Sequence, residues 1–232
     1  MMGDINVYSG PMKCGKTEQI LAEYKRQLIA GKKVKMFKPY IDTRSGRDIV
    51  ASRNGIDIPA IPIKRIADIE KYDADVYCID EFQFLKGNVN VIQNLADCGK
   101  KFFIAGLNLT AEKKPFGKMA DLLCIADNVK MQNAICDNCK NDNAVFTYYK
   151  GGKDTDIIIG DKGYMALCRN CYDLLSNQDL ANKKKAEWNF KRTLVRVLYS
   201  IQQLWSKLQT KYTMDTYQIL SHLMRNQVDF YS

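Results

Sequence analysis

Three groups of residues have the types and spacing to do chemistry. The first is Gly10-Pro11-Met12-Lys13-Cys14-Gly15-Lys16-Thr17, which fits G-x-x-x-x-G-K-[ST]. Glycines in such a loop let successive backbone N–H groups turn toward one point, and a phosphate chain is the ligand that suits this arrangement. On this reading Gly10, Pro11, Met12, Lys13, Cys14 and Gly15 cradle phosphate. Lys16 reaches the β- and γ-phosphates, and the Thr17 hydroxyl ligates Mg²⁺. A glycine turn with a solvated lysine is the plainer alternative.

The second group is acidic. Asp75-Val76-Tyr77-Cys78-Ile79-Asp80-Glu81 is a short apolar run ending in two carboxylates. In phosphate-loop enzymes such a run lies near the loop and aims an acid at the metal. Asp80 then holds Mg²⁺ through water, and Glu81 can take a proton from an attacking hydroxyl. An acidic strand end facing water is the alternative, and the phosphate loop weighs against it. Arg44, in Asp42-Thr43-Arg44, is either a clamp on a transferring phosphoryl group or a solvated loop charge; local sequence does not choose.

The third group is Cys136-x-x-Cys139 with Cys168-x-x-Cys171. Two such pairs supply four thiolates for a tetrahedral Zn²⁺, and a shell filled by protein makes the metal structural rather than catalytic. A redox dithiol pair is the competing reading. The 28 residues between the pairs would form a long loop closed at its base by the metal. The other cysteines, Cys14, Cys78, Cys98 and Cys124, read as buried thiols. A single histidine, His222, leaves little room for histidine-based catalysis.

These residues need elements to position them. Ile5 to Tyr8 reads as a strand entering the glycine loop. Glu18 to Ile29 carries apolar residues at helical spacing. Lys33 to Phe37, the run ending at Asp80 and Lys101 to Gly106 read as further strands. Gly87 to Ala96 and Phe116 to Cys124 read as helices, and Ile49 to Ile61 as short strands and turns. Alternation of strand and helix predicts an α/β, mostly parallel sheet. Leu107 to Gly117 is a loop at the end of a strand, where open sheets bind ligands. Ile125 to Met131 reads as a lead-out. Beyond Asp173 a long helix is expected to open at Lys183-Lys184-Lys185, with Leu194, Val197, Leu198, Ile201, Leu204, Trp205 and Leu208 on one face and Lys191, Arg192, Arg196 and Lys207 opposite. A second helix is expected over Asp215 to Met224. An amphipathic helix packed on its own domain or on another subunit is the default reading; a basic nucleic-acid or partner-binding appendage is the alternative.

The boundaries expected are 1–130 for a phosphate-loop nucleotide-binding domain, 131–175 for a small ribbon-like zinc domain and 176–232 for a helical extension. The chain has 232 residues, 46 % of them hydrophobic, enough for a packed core. A net charge of +9 suits an anionic partner, whether nucleotide or nucleic acid. With no apolar run of about 18 residues and no signal-peptide core at the N-terminus, the chain reads as a cytoplasmic protein without a membrane partner.

Taken together these motifs resemble the type II thymidine kinase family. The matching pieces are the phosphate loop, Asp42-Thr43-Arg44, Asp80-Glu81 with Gln83-Phe84, Gly106-Leu107 and Lys114-Pro115-Phe116-Gly117. They continue through Ala134-Ile135-Cys136, Phe146-Thr147, Tyr164 and Cys168-Arg169-x-Cys171-Tyr172, over about residues 4–172. The resemblance implies a RecA-like phosphate-loop domain and a zinc domain carrying a "lasso" loop that closes over thymidine. It implies transfer of the γ-phosphate of ATP to the 5′-hydroxyl, with Glu81 as general base and Arg44 on phosphate. It further implies a nucleoside site lined by Met12, Phe84, Leu107, Thr147 and Tyr164. Lasso main-chain groups of Ile157, Ile158, Ile159 and Gly160 would read the base. It also implies a homo-tetramer inhibited by dTTP.

The chain departs from the family where Asp-Gly-x-Phe-Gln usually follows the leucine of Gly106-Leu107. Here Asn108, Leu109, Thr110, Ala111 and Glu112 stand there. Ala111 removes an aromatic wall from the base pocket, so a kinase for another base, such as deoxyuridine, is the neighbouring expectation. A nucleotide- or nucleic-acid-binding relative without turnover is a further alternative. Glu81 weighs against it, because a pure binder has no use for a general base.

Overall fold

The computed structural model describes residues 2–44, 46–51, 55, 57–150 and 163–209. The expected lasso positions 157–160 and the expected helix over 215–224 lie outside the described residues. The chain forms two compact units, Met1–Leu175 and Ser176–Ser232.

The first unit is built on a parallel sheet. Its strands are β1 (Ile5–Ser9), β2 (Val34–Pro39), β5 (Ile61–Ile63), β6 (Val76–Ile79), β7 (Lys101–Gly106) and β8 (Asn128–Met131). A short antiparallel hairpin, β3 (Ile49–Ala51) with β4 (Asp57–Pro59), stands apart from it. The sheet order is β5-β2-β6-β7-β1-β8, and every pairing is parallel. Side chains alternate between two cores, as the period of a strand requires. Phe102 and Ile104 join one core and Phe103 and Ala105 the other. Tyr77 and Ile79 lie on the first side, Val76 and Cys78 on the second. Helix α1 (Lys16–Ile29) covers the second face with Ile20 and Leu21. Helices α2 (Asn90–Asp97) and α3 (Met119–Ile125) cover the first with Ile92, Ala96, Met119 and Leu122. With both faces covered, the central strands are apolar throughout.

Several boundaries differ from expectation for local reasons. Helix α2 starts three residues later than its pattern suggests, because Gly87 sits at φ +124° and the Asn88 side chain accepts the Asn90 N–H at 3.0 Å. Helix α3 starts after Gly117, at φ +53°, where a Cβ would meet the Gln83 carbonyl oxygen at 2.1 Å. The segment expected as a lead-out is instead strand β8. All four of its side chains are exposed, so no burial period marks it; it is an edge paired through its backbone to β1, with the Asn128 and Lys130 side chains donating to Asn6 and Gln19 at 3.2 and 3.1 Å. Of the cysteines expected to be buried, Cys78 is buried and Cys14 half-buried, but Cys98 and Cys124 are exposed.

A second, small sheet follows. Strands β9 (Phe146–Tyr149) and β10 (Tyr164–Leu167) pair antiparallel, with Thr147 opposite Ala166. A separate core of Ala134, Cys136, Ala144, Tyr148, Ala166, Leu167, Cys168 and Cys171 lies beneath them. Helix α4 (Arg169–Gln209) begins inside the second cysteine pair, well before Lys183. No glycine or proline interrupts it from there on, so nothing local stops a helix started at that turn.

The described part of the second unit is helical. Its apolar residues Trp188, Phe190, Leu194, Val195, Leu198 and Leu204 are exposed. No described helix is long and apolar enough to cross a membrane.

Candidate active site

The phosphate loop joins β1 to α1 at the C-terminal edge of the sheet, where parallel strands leave a crevice. Gly10 has φ +146°, and a Cβ there would meet the Gln132 carbonyl oxygen at 2.2 Å, so only glycine fits. Lys16 folds back over the loop and donates to the Pro11 carbonyl at 2.6 Å and the Gly10 carbonyl at 3.3 Å. The hydroxyl of Thr17 donates to Asp80 Oδ2 at 3.1 Å. That bond joins two motifs 63 residues apart across the intervening strand β7.

Asp80 follows β6 directly and is 6 % exposed. Its Oδ1 accepts the Glu81 N–H at 2.9 Å. Burial, then the neighbouring Glu81 carboxylate, push its carboxyl up to about 7. A buried carboxylate beside a hydroxyl is a ligand set that a hard divalent cation satisfies.

Glu81 has a left-handed backbone, φ 51° and ψ 40°, rare for a residue other than glycine. The turn re-aims its side chain away from that of Asp80 and into a polar chain. Arg44 donates to Oε1 through Nη2, and Gln83 donates to Oε2 through Nε2 at 2.6 Å. Gln83, only 3 % exposed, accepts the Leu107 N–H at 2.9 Å on its own amide oxygen. Asp42 braces Arg44 with Oδ1 to Nε at 2.8 Å and Oδ2 to Nη2 at 3.2 Å. Burial would lower the Arg44 basicity, but the Asp42 and Glu81 carboxylates raise it above its usual value. Asp42 is buried too, which would raise its carboxyl, yet the Arg44 hydrogen bond and charge hold it below the usual range. Behind them Lys38, 1 % exposed, donates to the Gly46 and Ile49 carbonyls at 3.0 and 2.7 Å and lies 3.5 Å from Asp42. Sequence reasoning gave Lys38 and Gln83 no role at this site. A buried lysine in an apolar strand run was the available signal for the first; a glutamine two residues past the acids was the signal for the second.

The structure therefore joins Thr17, Asp80, Glu81 and Arg44 in one hydrogen-bonded chain, with Lys16 folded back over its own loop beside Thr17. Met12 and Thr147 meet as well: the Met12 N–H donates to Thr147 Oγ1 at 3.0 Å. Phe84 packs edge-on against Phe116, with ring centroids 5.4 Å apart. Leu107 is tied in through its N–H. Tyr164 opens β10 and packs on Tyr149, centroids 4.8 Å apart. The Ala111 carbonyl accepts the Tyr172 hydroxyl at 2.6 Å. Lys113 pairs with Asp173 at 2.6 Å and lies over the Tyr172 and Phe146 rings at 3.9 and 4.6 Å from their centroids. The loop after β7 is thus fastened to the small domain.

The four cysteines beside the small sheet converge, their Sγ atoms all within 4.8 Å of one another. Tetrahedral Zn–S bonds require S···S separations of about 3.8 Å; Cys139 Sγ and Cys168 Sγ are 3.8 Å apart. Burial would raise the Cys136 thiol, but N–H groups of Cys139, Cys168 and Asn138 bring it down to about 6, favouring thiolate. The donor set fits a structural zinc, and the α/β architecture with its helical C-terminal part and compatible metal cluster agrees with the expected fold class.

Comparison with known proteins follows the same line. A family model described as thymidine kinase matches residues 3–172. A thymidine kinase of Pseudothermotoga lettingae is 34 % identical over 184 residues, covering 77 % of this chain and 100 % of that protein. Thymidine kinases of Bacteroides thetaiotaomicron and Porphyromonas gingivalis are each 38 % identical over 174 residues, 73 % of this chain and 87 % and 85 % of theirs. Among solved structures, AMPPCP-bound DnaA from Aquifex aeolicus superimposes with a TM-score of 0.34 at 13 % identity over 56 % of this chain and 40 % of that one, too slight a likeness to carry an argument. With a phosphate loop joined to an acidic strand end, a four-cysteine module beside it and a family match over residues 3–172, the chain belongs to the thymidine kinase family.

Proposed function

We infer that the protein transfers the γ-phosphate of ATP to the 5′-hydroxyl of thymidine. The observation that carries this reading is the Thr17–Asp80 hydrogen bond, with Glu81 as the next residue. It supports one site shared by a phosphate-binding loop and a carboxylate able to accept a proton. In that site the loop amides and Lys16 hold the β- and γ-phosphates. Thr17 and Asp80 would hold Mg²⁺, which would supply neutralisation of the phosphate charge. Glu81 accepts the 5′-hydroxyl proton as the oxygen attacks phosphorus. Arg44 contacts the phosphoryl oxygens and gains charge complementarity as the bond to the leaving oxygen lengthens. Gln83 keeps Glu81 facing the cleft.

Met12, Phe84, Leu107, Thr147 and Tyr164 line the nucleoside side, with main-chain groups of 157–160 reading the base. Zinc is structural, held by Cys136, Cys139, Cys168 and Cys171. The same reading includes a dTTP-inhibited homo-tetramer acting in nucleoside salvage in the cytoplasm, with domains at 1–130, 131–175 and 176–232.

The test is a panel of nucleosides with labelled ATP and Mg²⁺. Thymidine is expected to be the best acceptor. Thymidine ranking below deoxyuridine would move the assignment to the altered-base reading that Ala111 motivates. Transfer to no nucleoside at all would overturn the enzyme reading.

A further inference from the structure

Lys13 belongs to the phosphate loop, yet its ammonium group is engaged elsewhere. Its Nζ lies 2.7 Å from Asp137 Oδ2. Asp137 stands between Cys136 and Cys139, inside the first cysteine pair. The same carboxylate oxygen accepts the Ala166 N–H at 2.8 Å, and the Asp137 N–H donates to the Ala166 carbonyl at 2.8 Å. Asp137 is thus fixed to β10 through both its main-chain N–H and its carboxylate, so it presents a charge that does not wander. One residue earlier, the Met12 N–H is also spent on the small domain, at Thr147 Oγ1, and Thr147 is 4 % exposed. One residue later, Cys14 packs against the core that contains Cys136, Cys168 and Cys171. Three consecutive loop residues therefore face the cysteine module through three different kinds of contact. Lys13 has a left-handed backbone, φ 65°, which turns its side chain off the run of the loop.

We propose that Lys13 is a positioning residue rather than a phosphate ligand: through Asp137, and with Thr147 as a second pin, it latches the phosphate loop to the cysteine module, so that the metal knuckle sets the shape of the nucleotide site. The proposal rests on the reading of the loop as a nucleotide site. It deepens that reading by giving the zinc module work on the donor side as well as the acceptor side. Order passes from the thiolates to Asp137, from Asp137 to Lys13, and from Lys13 to the loop amides that face phosphate. The distinguishing consequence is that Lys13 acts only through its partner.

A double-mutant cycle tests this on the full chain, with Lys13→Met, Asp137→Asn and the pair. The readouts are calorimetric affinity for ATP, amide hydrogen exchange of residues 12–15, and zinc content. Both partners are partly exposed, so each single variant is expected to weaken ATP by about two- to fivefold. The double variant should be no weaker than either single one. Exchange at residues 12–15 should quicken in all three, and Lys13→Arg should restore both readouts. If Lys13→Met costs as much affinity in the Asp137→Asn background as in the native chain, Lys13 touches phosphate and the latch is overturned. Unchanged exchange in Lys13→Met at full zinc content overturns it too. Should Asp137→Asn shed metal, Lys13→Met, which touches no thiol, still decides by that exchange measurement. If the native protein fails to bind ATP, the kinase reading fails separately, and exchange at residues 12–15 still judges the latch.

Discussion

Glu81 and Asp80 are adjacent, yet the turn at Glu81 sends their carboxylates to different work. Asp80 is buried beside Thr17, whereas Glu81 faces Arg44 and Gln83. Glu81→Gln keeps the shape and the hydrogen bond from Arg44 but cannot take a proton. It is expected to bind ATP normally and to lose about 10²–10⁴-fold in turnover. Steady-state kinetics alongside nucleotide titration check this, and normal turnover would remove Glu81 from the mechanism. Asp80 carries a pH signature. Its carboxyl in the folded protein is raised from the usual 3.8 to about 7. Between those values the folded state binds the extra proton, so stability from this group falls as pH rises through that window. With magnesium chelated, Asp80→Asn should therefore melt higher than the native protein at pH 8, and the gap should shrink at pH 5. Thermal melts in the two buffers measure it; a gap independent of pH would mean that the Asp80 carboxylate is not destabilised by burial.

At the scale of elements, the loop carrying Arg44 is organised by a lysine buried in β2. Lys38 donates to two carbonyls of that loop and stands beside Asp42, which in turn braces Arg44. Lys38→Met keeps the stem and deletes the donors, leaving buried oxygens unpaired. Such a loss costs about 1–3 kcal/mol. It should show as a lower melting temperature together with a fall in kcat, since Arg44 loses its support. A variant that melts lower but turns over normally would mean that Arg44 is held well enough by Asp42 alone. The elements themselves were legible where burial left a mark in the sequence. The apolar runs of β6 and β7, buried on both faces, and the helical spacing after the glycine loop were read from their residues. Strand β8 was not, because an exposed edge strand carries no such period. The start of α4 was displaced because nothing between Arg169 and Lys183 distinguishes a helix begun at a cysteine turn from a loop.

For the molecule as a whole, the four-cysteine module grips both the phosphate loop and the loop after β7. Lys13–Asp137 and Met12–Thr147 hold the phosphate loop, and Lys113–Asp173 and Tyr172–Ala111 hold the loop after β7. On the proposed reading, removing zinc should weaken nucleoside binding most, because residues of the four-cysteine module would line the acceptor side. ATP affinity should also fall, by the smaller factor expected of the latch. Calorimetry on chelated and zinc-reloaded protein compares the two; equal losses would argue against a module whose main contacts are with the nucleoside. The helical part after Leu175 contributes none of the site residues described, so a chain ending there should retain phosphoryl transfer, as a direct assay of the shortened protein would show.

Local chemistry indicated much by itself: the spacing of two glycines, a lysine and a threonine points to a phosphate loop, and two paired cysteine motifs point to one metal-compatible cluster, because in each case nearby residues can share one small ligand. What tertiary structure decided were the partnerships between distant segments. That Thr17 meets Asp80, that Gln83 bridges Glu81 to Leu107, and that Lys13 turns to Asp137 follow from strand order and from the packing of the small domain. A hydrogen bond depends on where two side chains finish in space, and for residues 24, 63 and 124 positions apart that place is set by the sheet and its docked module.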